Sequence, residues 1–389
     1  MELWFPKMFC TKSNHIPMNL NLILILLFAF GALVCSSEGV KNAKDLFVGW
    51  CTTLLLLSVT CKSAFYGTQN GGGADTLVYI QEFKEVIDMS FDDIWEAFLD
   101  RYIRGVGDYD IGYLLLQWVV SMFSSSYHVF STIADLLFFI PFAKILKKYC
   151  STVIEVFFAV LLYLSLFHTF AMYGARQFYA MGFGLMFFLC YSEKKYIKGS
   201  VALLLGMTIH MSSLLVLIPF ALSFLPDKTV KTTHWIALLL IPVVWLVANP
   251  IISYMGDFIG MEKYAAYGEG EMQGGATTYI LLSEILSIIC LVLTNKQCFE
   301  DVKFKYLYAM APVFTFFAPL IASNGSMIRV TAYSQVFIIV LLPYLMAQRF
   351  GNKSKAYMFV MILALCFLML KGGHYPYEFF WVSDPEYLW

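Results

Sequence analysis

Long apolar runs, following one another with only short charged stretches between, constrain this chain more than any other feature. They fall at about 19–36, 46–62, 127–143, 152–172, 175–192, 201–225, 234–250, 277–294, 307–323, 328–347 and 356–370. Several reach the roughly 17–20 residues that a helix needs to cross a bilayer. Lipid offers no hydrogen bonds, so spanning segments must satisfy their own backbone, which leaves the helix as the natural solution. The expectation is an all-α, polytopic integral membrane protein of about 10–12 transmembrane segments. A shorter apolar piece at 111–123 cannot span and reads as interfacial or re-entrant.

Composition agrees. Hydrophobic residues make up 60% and charged residues 14%, with a mean hydropathy of +0.71. Soluble domains run near 45–50% and about 25%. Removing the spans leaves no soluble domain, so 1–389 reads as one membrane domain with the lipid bilayer as its first partner. A net charge of -1 gives no electrostatic case for nucleic acid. The nine cysteines are scattered without a CxxC pair, so neither a disulfide framework nor a metal site is read, and no cofactor is implied. The first apolar run follows Lys7 and Lys12 like a signal peptide. No clear small-residue cleavage site follows it at Cys35-Ser36-Ser37, so it is taken as a transmembrane helix.

Charges orient the segments, because short basic loops stay on the cytoplasmic side. Those loops are Lys41/Lys44, Lys144/Lys147/Lys148, Lys194/Lys195/Lys198, Lys228/Lys231, Lys296/Lys303/Lys305 and Arg349/Lys353/Lys355. The stretch 65–112 carries ten acidic residues against three basic ones, which places the first large loop, 65–126, outside. A surface amphipathic helix is expected within it at 90–104. The loop 251–276 is also acidic and outside, and the tail 372–389 is acidic and aromatic. One segment conflicts with simple alternation. The run 201–225 starts after Lys198 and ends before Lys228 and Lys231, so both its ends lie inside. A helix that enters, breaks near His210-Met211-Ser212-Ser213 and returns satisfies this. A single tilted helix, with both lysines as exceptions, is the alternative. The re-entrant topology puts the N-terminus outside, against the bias of Lys7 and Lys12.

Several polar residues sit where lipid makes them expensive. Arg176 opens a helix on the outer side, after Gly174-Ala175, with Tyr173 and Tyr179 three residues either side. An arginine costs roughly 2.5–3.5 kcal/mol at the bilayer centre and much less at the edge, so a snorkelling anchor is the plain explanation. Small neighbours and a helix N-terminus favour an anion site instead. Arg329 repeats the pattern after Ser323-Asn324-Gly325-Ser326, with Tyr333 one turn on. Two such arginines fit phosphate bidentately. His210 is the candidate base, with Ser213 to orient it, although a lone intramembrane histidine more often bonds a neighbouring helix. In the first outer loop Asp75 and Tyr79, then Asp110 and Tyr113, are candidates for a carboxylate base or for sugar contacts. Asp135, Glu155 and Glu284 fall within spans. Glu155 lies close enough to one end to snorkel. A transporter would use Asp135 and Glu284 for ion coupling; a structural reading pairs them with helix partners.

Five short motifs occur in order. They are Gly-Ala-Asp75-Thr-x-x-Tyr79, Asp110-Ile-Gly-Tyr113, Ala175-Arg176-Gln177-x-x-Ala180, Thr208-Ile-His210-Met-Ser212-Ser213 and Met327-Ile-Arg329-Val-x-x-Tyr333 with a later Leu-Pro343. Together they resemble the EpsG family of polysaccharide-biosynthesis membrane proteins, which is similar to Wzy-type O-antigen and capsule polymerases. The resemblance implies an inverting glycosyltransferase of the bacterial inner (plasma) membrane that joins undecaprenyl-diphosphate-linked oligosaccharide repeat units. It implies catalytic roles for Arg176, His210, Arg329 and Asp75. Substrate contacts would come from Gln177, Tyr173, Tyr333, Tyr79, Asp110 and Tyr113. A flippase and a chain-length regulator are the protein partners it suggests. A lipid-linked oligosaccharide flippase, or a non-catalytic component of a polysaccharide-assembly complex, is the competing reading.

Overall fold

Where the apolar runs have clean boundaries, the helices follow them. A computed structural model of the chain describes residues 19–37, 40–64, 74–106, 110–259, 276–322, 327–371 and 377–383. The expected leader charges Lys7 and Lys12, the glycines 71–73, the loop residues 260–275, the polar break 323–326 and the tail residues 372–376 and 384–389 lie outside the described residues. The first helices are α1 (Leu20–Cys35), α2 (Ala43–Thr60), α3 (Ala74–Ile87), α4 (Phe91–Leu99), α5 (Ile111–Ser121) and α6 (Tyr127–Tyr149). Then come α7 (Val153–Leu166), α8 (His168–Tyr173), α9 (Ala175–Ser192), α10 (Tyr196–Ile209), α11 (Leu217–Ser223) and α12 (Asp227–Ile259). The last are α13 (Ala276–Leu293), α14 (Val302–Tyr308), α15 (Met310–Phe317), α16 (Ile328–Phe350), α17 (Ser354–Lys371) and the short α18 (Phe380–Ser383). Among the described residues, five helical stretches are long and apolar enough to cross a membrane, and shorter apolar helices accompany them. The protein is all-α and polytopic.

The central element is α16. From Thr331 to Met346 almost every side chain is buried, as expected of a helix apolar all round. Its neighbours are α7, α13, α15 and α17. On the other side of the core, α9 packs on α6 and α10. There Gly182 lets the backbones meet: a Cβ on it would strike the Leu137 carbonyl oxygen. Small residues are what allow such close approach between membrane helices.

The expected span 152–172 is not one helix. It breaks at Phe167 between α7 and α8, and no glycine or proline marks the place. The amide of Gln335 on α16 donates over 2.8 Å to the buried Leu166 carbonyl that the break leaves without a helical partner. A distant side chain thus supplies the bond that the break removes. Glu155 does not merely snorkel. The Thr152 hydroxyl caps α7 by accepting from Glu155 N at 3.4 Å, and the Glu155 carboxylate accepts from Ser151 N at 2.7 Å and from the Thr152 hydroxyl at 2.9 Å. In the 90–104 stretch Ser90 and Asp93 form a full capping box at the start of α4, and a π-helical turn, Asp100–Arg104, follows the helix.

The run 201–225 breaks where the charges require. His210 is extended, with φ -161° and ψ 122°, and a 3-10 stretch, Met211–Val216, leads into α11. The ring of Tyr191, near the end of α9, lies 5.2 Å from Tyr196 at the start of α10 and 4.4 Å from Phe220 in α11. The chain therefore returns to the level at which it left, and the segment is re-entrant. The lysines agree. At one end of the bundle Lys44 bonds the Lys147 carbonyl, Lys148 bonds Ser192, Lys231 bonds the Thr294 carbonyl and Lys305 pairs with Asp227. At the opposite end residues 377–380 fold back onto the end of α2. Tyr377 donates to the Ser58 carbonyl, and Ser63 and Phe380 exchange backbone bonds with Glu378 and Cys61.

Candidate functional site

Four helices deliver their polar residues to this second end. On α3, Asp75, Tyr79 and Glu82 recur at intervals of four and three, so they share one face. Asp110 precedes α5. Its backbone carbonyl starts the helix, while its side chain makes no capping bond and stays available. Arg176 opens α9 directly after the break at Gly174, and Arg329 opens α16.

Both arginines meet carboxylates. Arg329 Nη2 donates to Asp75 Oδ2 at 2.9 Å. Arg176 lies 3.6 Å from Glu82 and 3.7 Å from Asp110, which is charge pairing beyond hydrogen-bond reach. Its guanidinium stands 5.3 Å from the Tyr79 ring centroid and 5.6 Å from that of Tyr113, within cation–π range. The two rings meet edge to face at 6.2 Å. Gln177 links the halves of the site, because its amide donates to the Arg329 backbone carbonyl at 2.6 Å. Arg176 and Glu82 keep between a quarter and a third of their side chains exposed, so the cluster is open to a ligand.

Burial sets its electrostatics. It raises the Glu82 carboxyl above the ordinary range, with Arg176 opposing and Asp110, Glu85 and Asp75 adding to the rise. Asp110 is raised for the same first reason, opposed by Arg176 and Arg101. Burial, then Asp75, raises the Tyr79 hydroxyl, while both arginines lower it. Tyr79 thus feels both guanidinium groups at once.

Of the sequence candidates, Asp75, Tyr79, Asp110, Tyr113, Arg176, Gln177 and Arg329 come together. His210 and Tyr333 form an adjoining chain: His210 Nδ1 lies 2.6 Å from Ser212 Oγ, which lies 3.0 Å from the Tyr333 hydroxyl. Ser212, not Ser213, holds the imidazole; Ser213 donates to the His210 carbonyl instead. Tyr333 turns toward that serine rather than flanking Arg329. Tyr173 ends α8 across the Gly174 break, so it and Tyr179 do not flank Arg176 on one helix face, and the rings over the guanidinium are Tyr79 and Tyr113. Glu82 was not among the sequence candidates, although its spacing from Asp75 and Tyr79 was a usable signal. Lys62 was missed too. Its ammonium donates to Thr76 at 2.8 Å, beside Asp75, and lines a small cavity of about 20 Å³, room for one water, with His128, Ser131 and Asp135. Glu284 is buried on α13, remote from these groups in sequence.

No curated protein and no solved structure matches the chain at a significant level. The model of the EpsG family matches residues 52–379, a stretch that contains every residue of the cluster. The chain belongs to the EpsG family.

Proposed function

We propose that this membrane protein of polysaccharide biosynthesis is a polymerase. It joins undecaprenyl-diphosphate-linked oligosaccharide units at the outer face of the bacterial plasma membrane. One observation carries the reading: two arginines from distant helices converge at the acidic end of the bundle, each opposite carboxylates. A lipid-linked diphosphate takes over the guanidinium groups, and its arrival frees the carboxylates they faced. The acceptor hydroxyl then attacks the anomeric carbon of the donor sugar. The new C–O bond forms as the bond to the diphosphate breaks, with inversion, and the diphosphate leaves with the electron pair. Glu82 or Asp110 takes the hydroxyl proton. A base with a pKa raised toward the working pH suits this role. Fixed cations aimed at the departing oxygens supply the main stabilisation. His210, through Ser212 and Tyr333, holds the re-entrant tip against the helix that carries Arg329.

The test is chain length in cells that carry Arg176→Ala or Arg329→Ala. The reading requires normal protein levels and single lipid-linked units displayed on the outer face. Normal polymer in both variants overturns it. Units retained on the inner face would favour the flippase reading instead.

A further inference from the structure

Residues 377–380 do more than fold back onto the bundle. They grip the chain on both sides of Lys62. Phe379 faces Lys62 in an antiparallel bridge. Ser63 N donates to the Glu378 carbonyl at 2.9 Å, and Phe380 N donates to the Cys61 carbonyl at 3.1 Å. The Tyr377 hydroxyl donates to the Ser58 carbonyl at 3.0 Å, and the Phe380 ring stacks on His128 of α6 with centroids 3.7 Å apart. From this clamped backbone the Lys62 ammonium donates to the Thr76 hydroxyl, 2.8 Å away in the first turn of α3. Thr76 is buried. Its neighbour in sequence is Asp75, whose carboxylate accepts from Arg329 at 2.9 Å. The water-sized cavity that Lys62 lines also has the buried Asp135 in its wall, an opposite charge that offsets the partial desolvation of an ammonium.

We infer that Lys62 is a positioning residue of the diphosphate site. The strap 377–380 fixes its backbone, its ammonium fixes the first turn of α3 through Thr76, and α3 then presents Asp75 to Arg329. The use of this relay in chain extension rests on the polymerase reading. Lysine suits the task. Its flexible stem reaches from the end of α2 to the start of α3, and its ammonium carries three donors, so one can hold Thr76 while another faces the cavity. Asp75 in turn holds the Arg329 fork in the orientation that a diphosphate takes over. The Arg329–Asp75 pair is more than a third exposed and therefore weak, so the incoming diphosphate displaces it easily. Loss of the orientation thus outweighs loss of the competition.

The experiment measures farnesyl diphosphate binding, amide hydrogen exchange and chain extension, all on the full-length protein in lipid nanodiscs. Lys62→Met should speed exchange over Thr76–Ile80 while α9 and α16 exchange as in wild type. It should weaken farnesyl diphosphate binding about tenfold, the scale of one lost hydrogen bond. Lys62→Arg keeps a donor and should recover most of both. Thr76→Val removes the same bond from its other end, so it should reproduce Lys62→Met and add nothing to it. In an Asp75→Asn background Lys62→Met should still free α3 but no longer change diphosphate binding, a pattern that a merely structural lysine does not give. Tyr377→Phe combined with Phe380→Ala should weaken binding in the same direction. Where Lys62→Met does not fold, Thr76→Val, alone and in the Asp75→Asn background, carries the same decision. Unchanged α3 exchange, additive losses from Lys62→Met and Thr76→Val, or undiminished diphosphate binding in Lys62→Met overturns the inference. Normal extension in Lys62→Met overturns the positioning role and leaves the polymerase reading standing. Binding that depends on Lys62 in a wild-type protein that extends no chain overturns the polymerase reading and leaves the relay standing. Absence of farnesyl diphosphate binding by wild type overturns both.

Discussion

Arg329 and Asp75 share a 2.9 Å hydrogen bond although 254 positions separate them. The bond joins the central helix α16 to the first helix after the α2 end of the bundle. Both side chains are more than a third exposed, so the pair contributes little to stability, about 0–1 kcal/mol. Its loss should therefore appear in function rather than in folding. Arg329→Ala is expected to slow chain extension about a hundredfold or more, the scale of losing one preorganised stabiliser of developing charge. Thermal unfolding in detergent should barely move. Arg329→Lys should fall between, because an ammonium keeps the charge and loses the planar fork. Wild-type polymer from Arg329→Ala would remove the arginine from the mechanism.

Extension should depend on pH through Glu82. Burial and the neighbouring Asp110 raise its pKa, and Arg176 lowers it. As the base, Glu82 must be ionised, so the rate should fall on the acid side at a higher pH than an ordinary glutamate would give. Removing the Asp110 charge with Asp110→Asn should move that limb to lower pH. Removing Arg176 with Arg176→Gln should move it up, on top of a lower maximum. The stability contribution has its own sign. A carboxyl raised in the folded state favours folding below its unfolded pKa, and this is lost as pH rises through the folded value. Glu82→Gln should therefore make the protein slightly more resistant to unfolding at pH 8. Rate profiles of purified protein on lipid-linked acceptor and donor decide the first point. An acid limb unmoved by Asp110→Asn refutes the assignment.

Helix α9 was legible to the residue, because its apolar run, 175–192, begins after a glycine and ends at a lysine cluster. The re-entrant break at His210 was legible from charge alone, since lysines at both ends of one run fix its ends on one side. The two arginines were legible as a pair, because each opens a helix on the acidic side beside small residues. The break at Phe167 was not legible. It depends on Gln335, 169 positions away, and its local sequence carries no glycine or proline. Glu82 was hidden for a different reason. A carboxylate in an acidic loop looks solvated until the helix that carries it packs against α5.

His210 should behave as a structural cap rather than as the base. Its Nδ1 accepts from the Ser212 backbone nitrogen at 3.3 Å and lies 2.6 Å from the Ser212 hydroxyl. The oxygen of an asparagine side chain can replace that nitrogen as acceptor. His210→Asn should keep extension within about tenfold of wild type, the scale of one weakened hydrogen bond. His210→Ala should fall further and unfold at a lower temperature, with Tyr333→Phe between them. Loss in His210→Asn as deep as in Arg329→Ala would make the imidazole the proton acceptor.

Gly112 shows why the site needs one particular helix contact. It stands two residues after Asp110 and one before Tyr113, where α5 crosses α10. A Cβ on it would strike the Thr208 hydroxyl and come within 2.8 Å of the Thr208 carbonyl carbon. Gly112→Ala must therefore push α5 away from the re-entrant tip, and Asp110 and Tyr113 move with it. Overpacking of this kind costs about 1–3 kcal/mol. Thermal unfolding should fall accordingly, and extension should fall with it because the carboxylate and the ring leave Arg176. Adding Thr208→Ala removes the hydroxyl but leaves the backbone carbon in place. The double variant should recover only part of the stability and little of the rate. Full recovery would mean that the side chain alone sets the spacing between α5 and α10. Unchanged stability in Gly112→Ala would mean that the two helices do not meet as closely as the site requires.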